Sequence, residues 1–189
     1  MNNEMSHLNG VKVLLGVSGG VAVYKAVDLA SKLTAAGAKV QTVMTDAAEH
    51  FVCAKSFEAV TGAKVHTSLW SSTDAFDIDH IALAEWADIV VVAPATANII
   101  GKIAGGIADD LLSTMLCVCW KKPKIIAPAM NTNMWENPIV QANVEKIKTL
   151  GYEIVGPAAG RLACGSCGTG RMSEAAEILA AVENKAAQL

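Results

Sequence analysis

Four groups of residues in this sequence have types and spacings that do chemistry. Ser18-Gly19-Gly20 directly follows the apolar run Val11 to Val17. Glycine lets backbone N–H groups approach an anion, and a helix start favours negative charge. The turn suits a phosphate, although it is neither GxGxxG nor a Walker A loop, and a plain tight turn is the competing reading. His80 lies in Asp77-Ile78-Asp79-His80-Ile81, where neighbouring acids can hold one tautomer. By position alone, a surface histidine at a helix start is the favoured reading; His7, His50 and His66 lack even this context. Asn131, followed by Asn133, Met134 and Trp135, can donate from its amide to a carboxylate without adding charge, while ordinary packing competes for the Met-Trp pair. Cys164, in Ala163-Cys164-Gly165, is flanked by Arg161 and Arg171. A thiol in a polar, glycine-rich stretch is a better candidate for proton chemistry than Cys117 or Cys119, which read as structural residues of an apolar helix. The arginines suit an anionic substrate, or are simply solvated.

The elements that must position these groups follow from periodicity. Val11 to Val17 reads as a strand. Val23, Ala26, Ala30 and Leu33 recur at helical spacing up to Gly37, and Lys39 to Met44 reads as a second strand, with Thr45-Asp46 opening the next helix. Ile89 to Ala93 is apolar throughout, as in a strand buried on both faces of a parallel sheet. Helices are predicted over Ala97 to Ala104 and Asp110 to Cys119, and a strand over Lys124 to Ala127. Asn137-Pro138 reads as an N-cap and first helical residue, with the helix reaching about Leu150 before Gly151. Tyr152 to Val155 is a last strand, and Ser173 is placed as the cap of a final helix. The alternation predicts a three-layer, Rossmann-like (flavodoxin-like) α/β fold, with a mostly parallel sheet and helices on both faces. Gly156 to Arg171 shows no periodicity and is expected to be a mobile loop over the substrate. Ligands bind beyond the carboxyl ends of such strands. Ser18-Gly20, Thr45-Asp46, Pro94 to Asn98 and Pro128 to Asn131 all follow apolar runs, so small, hydroxylic and amide residues gather on one edge.

At 189 residues the chain suits one domain, 1–189. With 52% hydrophobic and 17% charged residues, its surface is apolar enough to favour an oligomer. The net charge of −3 asks for neither nucleic acid nor an anionic membrane. Lys102, Gly105, Gly106, Asp109 and Asp110 interrupt the most apolar long stretch, against a membrane span. Residues 1–10 are polar, expected to fray, and unlike a secretory signal, so a cytoplasmic location is expected. Five scattered cysteines describe neither a disulfide framework nor, beyond Cys164 and Cys167, a zinc-ligand spacing; no metal is expected, and most are read as small buried hydrophobes.

Taken together the segments resemble the homo-oligomeric flavin-containing cysteine decarboxylases. The resemblance runs from about Val11 to about Leu179. It rests on Gly16-Val17-Ser18-Gly19-Gly20-Val21-Ala22, His80-Ile81 with Trp86-Ala87-Asp88, Ala93-Pro94-Ala95-Thr96-Ala97-Asn98 and Lys102-Ile103-Ala104-Gly105-Gly106. The specific segments are Pro128 to Trp135, and Ala163-Cys164-Gly165 with Gly168, Gly170 and Arg171. It implies FMN, with the phosphate near Ser18, Gly19, Gly20, Val21, Ala22 and Thr45, and the rest near Thr96, Ala97, Asn98 and Ala129. It implies a trimer-based homo-oligomer in which His80 reaches a flavin held largely by a neighbouring chain, and a small-molecule substrate, phosphopantothenoylcysteine. His80 would assist oxidation of the substrate to a thioaldehyde, Cys164 would protonate the enethiolate left after loss of carbon dioxide, and Asn131, Met134, Arg161 and Ala163 would bind substrate. Cys167 departs from the required pattern and is read as incidental. Two rivals are a decarboxylase of peptides ending in cysteine, as in lantibiotic maturation, and a flavin-binding regulatory subunit without catalysis; His80, Asn131 and Cys164 together argue against the second.

Overall fold

The computed structural model describes residues 8–70, 79–161, 165 and 167–189. In chain order the elements are β1 (Lys12–Val17), α1 (Val23–Ala35), β2 (Lys39–Met44), α2 (Asp46–Glu49), α3 (Ala54–Thr61), β3 (Val65–His66), α4 (Asp79–Trp86), β4 (Ile89–Ala95), α5 (Ala97–Gly105), α6 (Leu111–Val118), β5 (Lys124–Pro128), α7 (Thr132–Trp135), α8 (Pro138–Thr149), β6 (Tyr152–Ile154), β7 (Ala158–Arg161), β8 (Cys167–Arg171) and α9 (Ala175–Ala186). Six strands form one sheet in the order β3-β2-β1-β4-β5-β6, and every pairing in it is parallel. The three-layer α/β architecture expected from the alternation is therefore present.

Strand alternation sorts the core into two layers. Val13, Leu15 and Val17 face α1 and α9, where Leu29, Leu33, Ile178 and Val182 are buried. Leu14, Val90, Val92 and Ile126 face the other layer, against Ile100 of α5, Met115 of α6 and Ile147 of α8. β4 and β5 are buried at every residue, as strands covered on both faces must be. Gly16 belongs to the second layer, and a Cβ there would lie 2.4 Å from Leu112 Cδ1. The absence of that carbon lets α6 settle onto β1.

Several sequence expectations change. Gly156 to Arg171 is not a structureless loop in its described part: β7 and β8 pair antiparallel, with Arg161 opposite Cys167. The signal was hidden because glycine replaces the apolar alternation. The final helix is capped by Glu174 rather than Ser173, which is buried; the Glu177 carboxylate accepts from Glu174 N–H at 2.7 Å, and the Glu174 side chain completes the reciprocal capping box. The fraying expected over residues 1–10 does not hold for the last three, since Leu8 is fully buried and Gly10 N–H donates to Gly37 O at 2.9 Å; residues 1–7 lie outside the described residues. Of the described cysteines only Cys119 is buried, while Cys53, Cys117 and Cys167 are exposed. α6 turns only one face to the sheet, which leaves Cys117 on its outer side. No helix among the described residues is long and apolar enough to cross a membrane.

Candidate active site

A cleft of about 1080 Å³ opens at the carboxyl edge of the sheet. It sits where β1 and β4 lie side by side and the chain departs from them in opposite directions, the topological switch point of an open α/β sheet. Its base is the β1–α1 turn, Ser18-Gly19-Gly20. The Ser18 N–H and hydroxyl both donate to Pro94 O, at 3.3 and 2.8 Å, and Thr96 N–H donates back to Ser18 Oγ at 3.0 Å. Ser18 thus spends both donors on stitching the turns after β1 and β4 together, and the groups aimed at a ligand come from its neighbours.

Three features make that turn a cradle. A Cβ on Gly19 would lie 2.4 Å from Ala47 Cβ and 2.5 Å from its carbonyl carbon, so α2 closes directly over the turn. α1 then starts from Ala22 as N-cap with no side-chain cap; Val23 N–H and Lys25 N–H close turns on Gly20 O and Ala22 O, both at 3.0 Å. Thr45, at the end of β2, lines the same cleft; its hydroxyl is buried and has no hydrogen-bond partner among the described residues. Buried hydroxyls are normally satisfied, so this one calls for a partner from a ligand. A helix start without a side-chain cap, a glycine backbone and an unpaired hydroxyl together suit an oxyanion.

The opposite rim is α5 and α6. Thr96 caps α5, accepting from Ile99 N–H at 3.5 Å, and Asn98 lines the cleft from an exposed position. Lys102 holds Asp109 and Asp110 at 2.6 Å each. Asp110 also accepts Ser113 N–H at 2.7 Å while Ser113 Oγ accepts Asp110 N–H at 3.0 Å, a capping box that starts α6. Burial works against the Asp110 carboxylate, but Lys102 and the Ser113 donors outweigh it and hold the carboxyl below its ordinary value. Burial likewise opposes the Lys102 ammonium, and its two carboxylates still keep it above the usual lysine value.

The third wall is the Pro128 to Trp135 segment under the β7–β8 hairpin. Asn131 caps α7 through Oδ1, which accepts Asn133 N–H at 2.8 Å, so the orientation of its amide is set by the helix it starts. Met134 is 46% exposed and contributes an apolar surface. β8 lies flat on this segment: Met130 N–H donates to Gly170 O at 2.9 Å, and a Cβ on Gly170 would come within 2.2 Å of Met130 O. Arg161 and Arg171 reach the cleft from the hairpin and Lys25 from α1. Glu174 Oε1 accepts from Lys25 Nζ at 2.9 Å and also from Arg171 Nη2. Lys25, then Arg171, hold the Glu174 carboxyl below its usual value.

Of the residues singled out from sequence, the cleft gathers Ser18, Gly19, Gly20, Val21, Ala22, Thr45, Thr96, Asn98, Ala129, Asn131, Met134 and Arg161. Ala97 does not line it. His80 does not either: it is half-buried in the first turn of α4, a helix packed against α6. Ala163 and Cys164 lie outside the described residues. Sequence reasoning missed Tyr24, Lys25 and the Lys102–Asp110 pair as parts of the site. The last had a signal, since charges that interrupt an apolar helical stretch need a reason to be there.

A sequence profile of the flavoprotein family matches residues 1–187. Among curated relatives, the chain is 46% identical over 181 residues to the coenzyme A biosynthesis bifunctional protein CoaBC of Bacillus subtilis; the match covers 96% of the chain but only 44% of that relative. It is 39% identical to the "Probable phosphopantothenoylcysteine decarboxylase" of Streptococcus mutans, covering 92% of the chain and 98% of the relative. Among solved structures, a cysteine-to-serine mutant of PPC decarboxylase complexed with pantothenoylaminoethenethiol superimposes with a TM-score of 0.85 at 36% identity, over 93% of this chain and 98% of that one. The FMN binding protein AtHal3 superimposes with a TM-score of 0.80, also at 36% identity, over 93% and 96%. The profile match across almost the whole chain, joined to the oxyanion cradle at the switch point, establishes that this chain belongs to the flavoprotein family.

Proposed function

We propose that the chain is an FMN-dependent decarboxylase that converts 4'-phospho-N-pantothenoylcysteine to 4'-phosphopantetheine in coenzyme A biosynthesis. The observation that carries the reading is one cleft lined by an oxyanion cradle, the Asn131–Met134 wall and a cluster of cations together. The relatives' names supply the activity, and the residues present fit the cofactor. The glycine backbone at Gly19 and Gly20 suits a phosphate, the start of α1 carries no side-chain cap to compete for it, and the unpaired Thr45 hydroxyl donates to it. Thr96, Asn98 and Ala129 meet the remainder of FMN.

Bound FMN supplies the oxidation that makes loss of the carboxylate accessible and the reduction that restores the product. The chain's residues place and protonate the substrate. Asn131 donates to the carboxylate while Oδ1 stays committed to α7, and Met134 walls the pocket. Arg161 pairs with substrate charge. Cys164 gives the proton that completes the product, and His80 acts as base or electrostatic partner. Because His80 stands apart from this chain's cleft, the reading includes a trimer in which it serves a neighbouring chain's flavin; a cytoplasmic location belongs to the same reading.

The purified protein is expected to be yellow, and to release carbon dioxide and 4'-phosphopantetheine from the phosphorylated substrate. A colourless protein that takes up no added FMN would overturn the proposal. Product only from a peptide ending in cysteine would replace it with the peptidyl activity.

A further inference from the structure

Lys25 and Arg171 reach the cleft from elements far apart in sequence, yet one carboxylate oxygen, Glu174 Oε1, takes both. The Lys25 side chain is only 11% exposed and is held further by Met172 O at 3.0 Å, so its ammonium has little freedom. Arg171 Nε is buried and has no hydrogen-bond partner among the described residues. Two cations converging on one acceptor, with a donor still unsatisfied, describe a seat prepared for a second, multidentate anion. A phosphate monoester, with three oxygens and close to two charges, fits a forked guanidinium beside an ammonium better than a lone carboxylate does.

We infer that Glu174 is a positioning residue that gathers Lys25 and Arg171 into a seat for a phosphate monoester. The inference rests on the proposed function, which supplies two such groups: the far end of the substrate and the tail of FMN. Glu174 does not touch the ligand. It prevents the two cations from repelling each other while the seat is empty, and fixes their heads so that less side-chain freedom is lost on binding.

The test uses the full chain with FMN. In Glu174→Gln, one of two results is expected. If the seat serves the substrate, KM for phosphopantothenoylcysteine rises about tenfold while kcat, and KM for the dephosphorylated analogue, stay put. If it serves the cofactor, the Kd for FMN rises by a similar factor while that for riboflavin does not, as read by flavin fluorescence. Glu174→Asp should restore part of either effect. Glu177→Ala is the control, since it removes the acceptor for Glu174 N–H without touching either cation, and should lower Tm without changing phosphate discrimination. If Glu174→Gln shifts phosphorylated and dephosphorylated ligands alike, or matches Glu177→Ala, Glu174 is only a helix cap and the inference fails. If the wild type turns over neither substrate yet its FMN and riboflavin affinities respond as stated, the function falls and the seat stands. If it turns over neither and the flavin affinities do not respond, both fall.

Discussion

Asp110 does two things with one carboxylate: it caps α6 and it holds Lys102 at the cleft wall. Its carboxyl titrates below its ordinary value in the folded protein. The resulting stability is present above the unfolded-chain value and fades as pH falls through the folded one. Asp110→Asn should therefore cost about 1–2 kcal/mol near neutrality. Urea melts should show that gap narrowing toward pH 3, and a gap of constant size would assign the loss to packing instead. Cys164 makes a different prediction. Cys164→Ser should release carbon dioxide and then stall, leaving an oxidised product that mass spectrometry finds two hydrogens short; 4'-phosphopantetheine at the normal rate would remove Cys164 from the proton step. Much of this residue-level picture was legible. Gly19, Thr45, Asn131 and Arg161 stand after apolar runs or in a glycine-rich stretch, and the chemistry of each side chain points to a ligand. The pairing of Lys25 with Glu174 was not legible, because the two are 149 residues apart and only the docking of α9 on α1 brings them together.

At the scale of elements, the cradle depends on α2 lying against the β1–α1 turn without an intervening methyl group. Gly19→Ala would drive that methyl into the Ala47 backbone, which cannot rotate away. The expected outcome is a folded protein with about tenfold or more weaker FMN retention, read by flavin content after gel filtration, at a stability cost of about 1–3 kcal/mol. Full flavin content would show that α2 yields easily. The same scale explains what sequence conveyed. β1, β2, β4 and β5 are strands whose apolar runs are long and almost wholly buried, so their bounds could be read to within a residue or two. β3 has two residues and no pattern to find. β7 and β8 owe their place to glycine: Gly168 and Gly170 let β8 press onto Thr132 and Met130, a packing reason that periodicity does not register.

The whole molecule raises the question of how many chains make one site. Asn131 lines this chain's cleft and His80 does not. In a trimer that shares sites, His80→Asn and Asn131→Asp should each be inactive alone. Co-expressed, they should regain activity, since some interfaces then combine an intact His80 with an intact Asn131. Mixed trimers that stay inactive, or a monomer by sedimentation, would place the complete site within one chain.

α1 begins without a side chain to cap it, beside a hydroxyl that bonds to nothing described. A phosphate bound there becomes the missing cap, and by mass action the ligand is then part of what keeps the chain folded. FMN held at one hundred times its Kd should add about 2.7 kcal/mol, raising the melting temperature by about 5–10 °C. Riboflavin at the same concentration, with no phosphate to offer the helix, should add much less. Cells short of flavin would then lose this protein to proteolysis as well as to idleness.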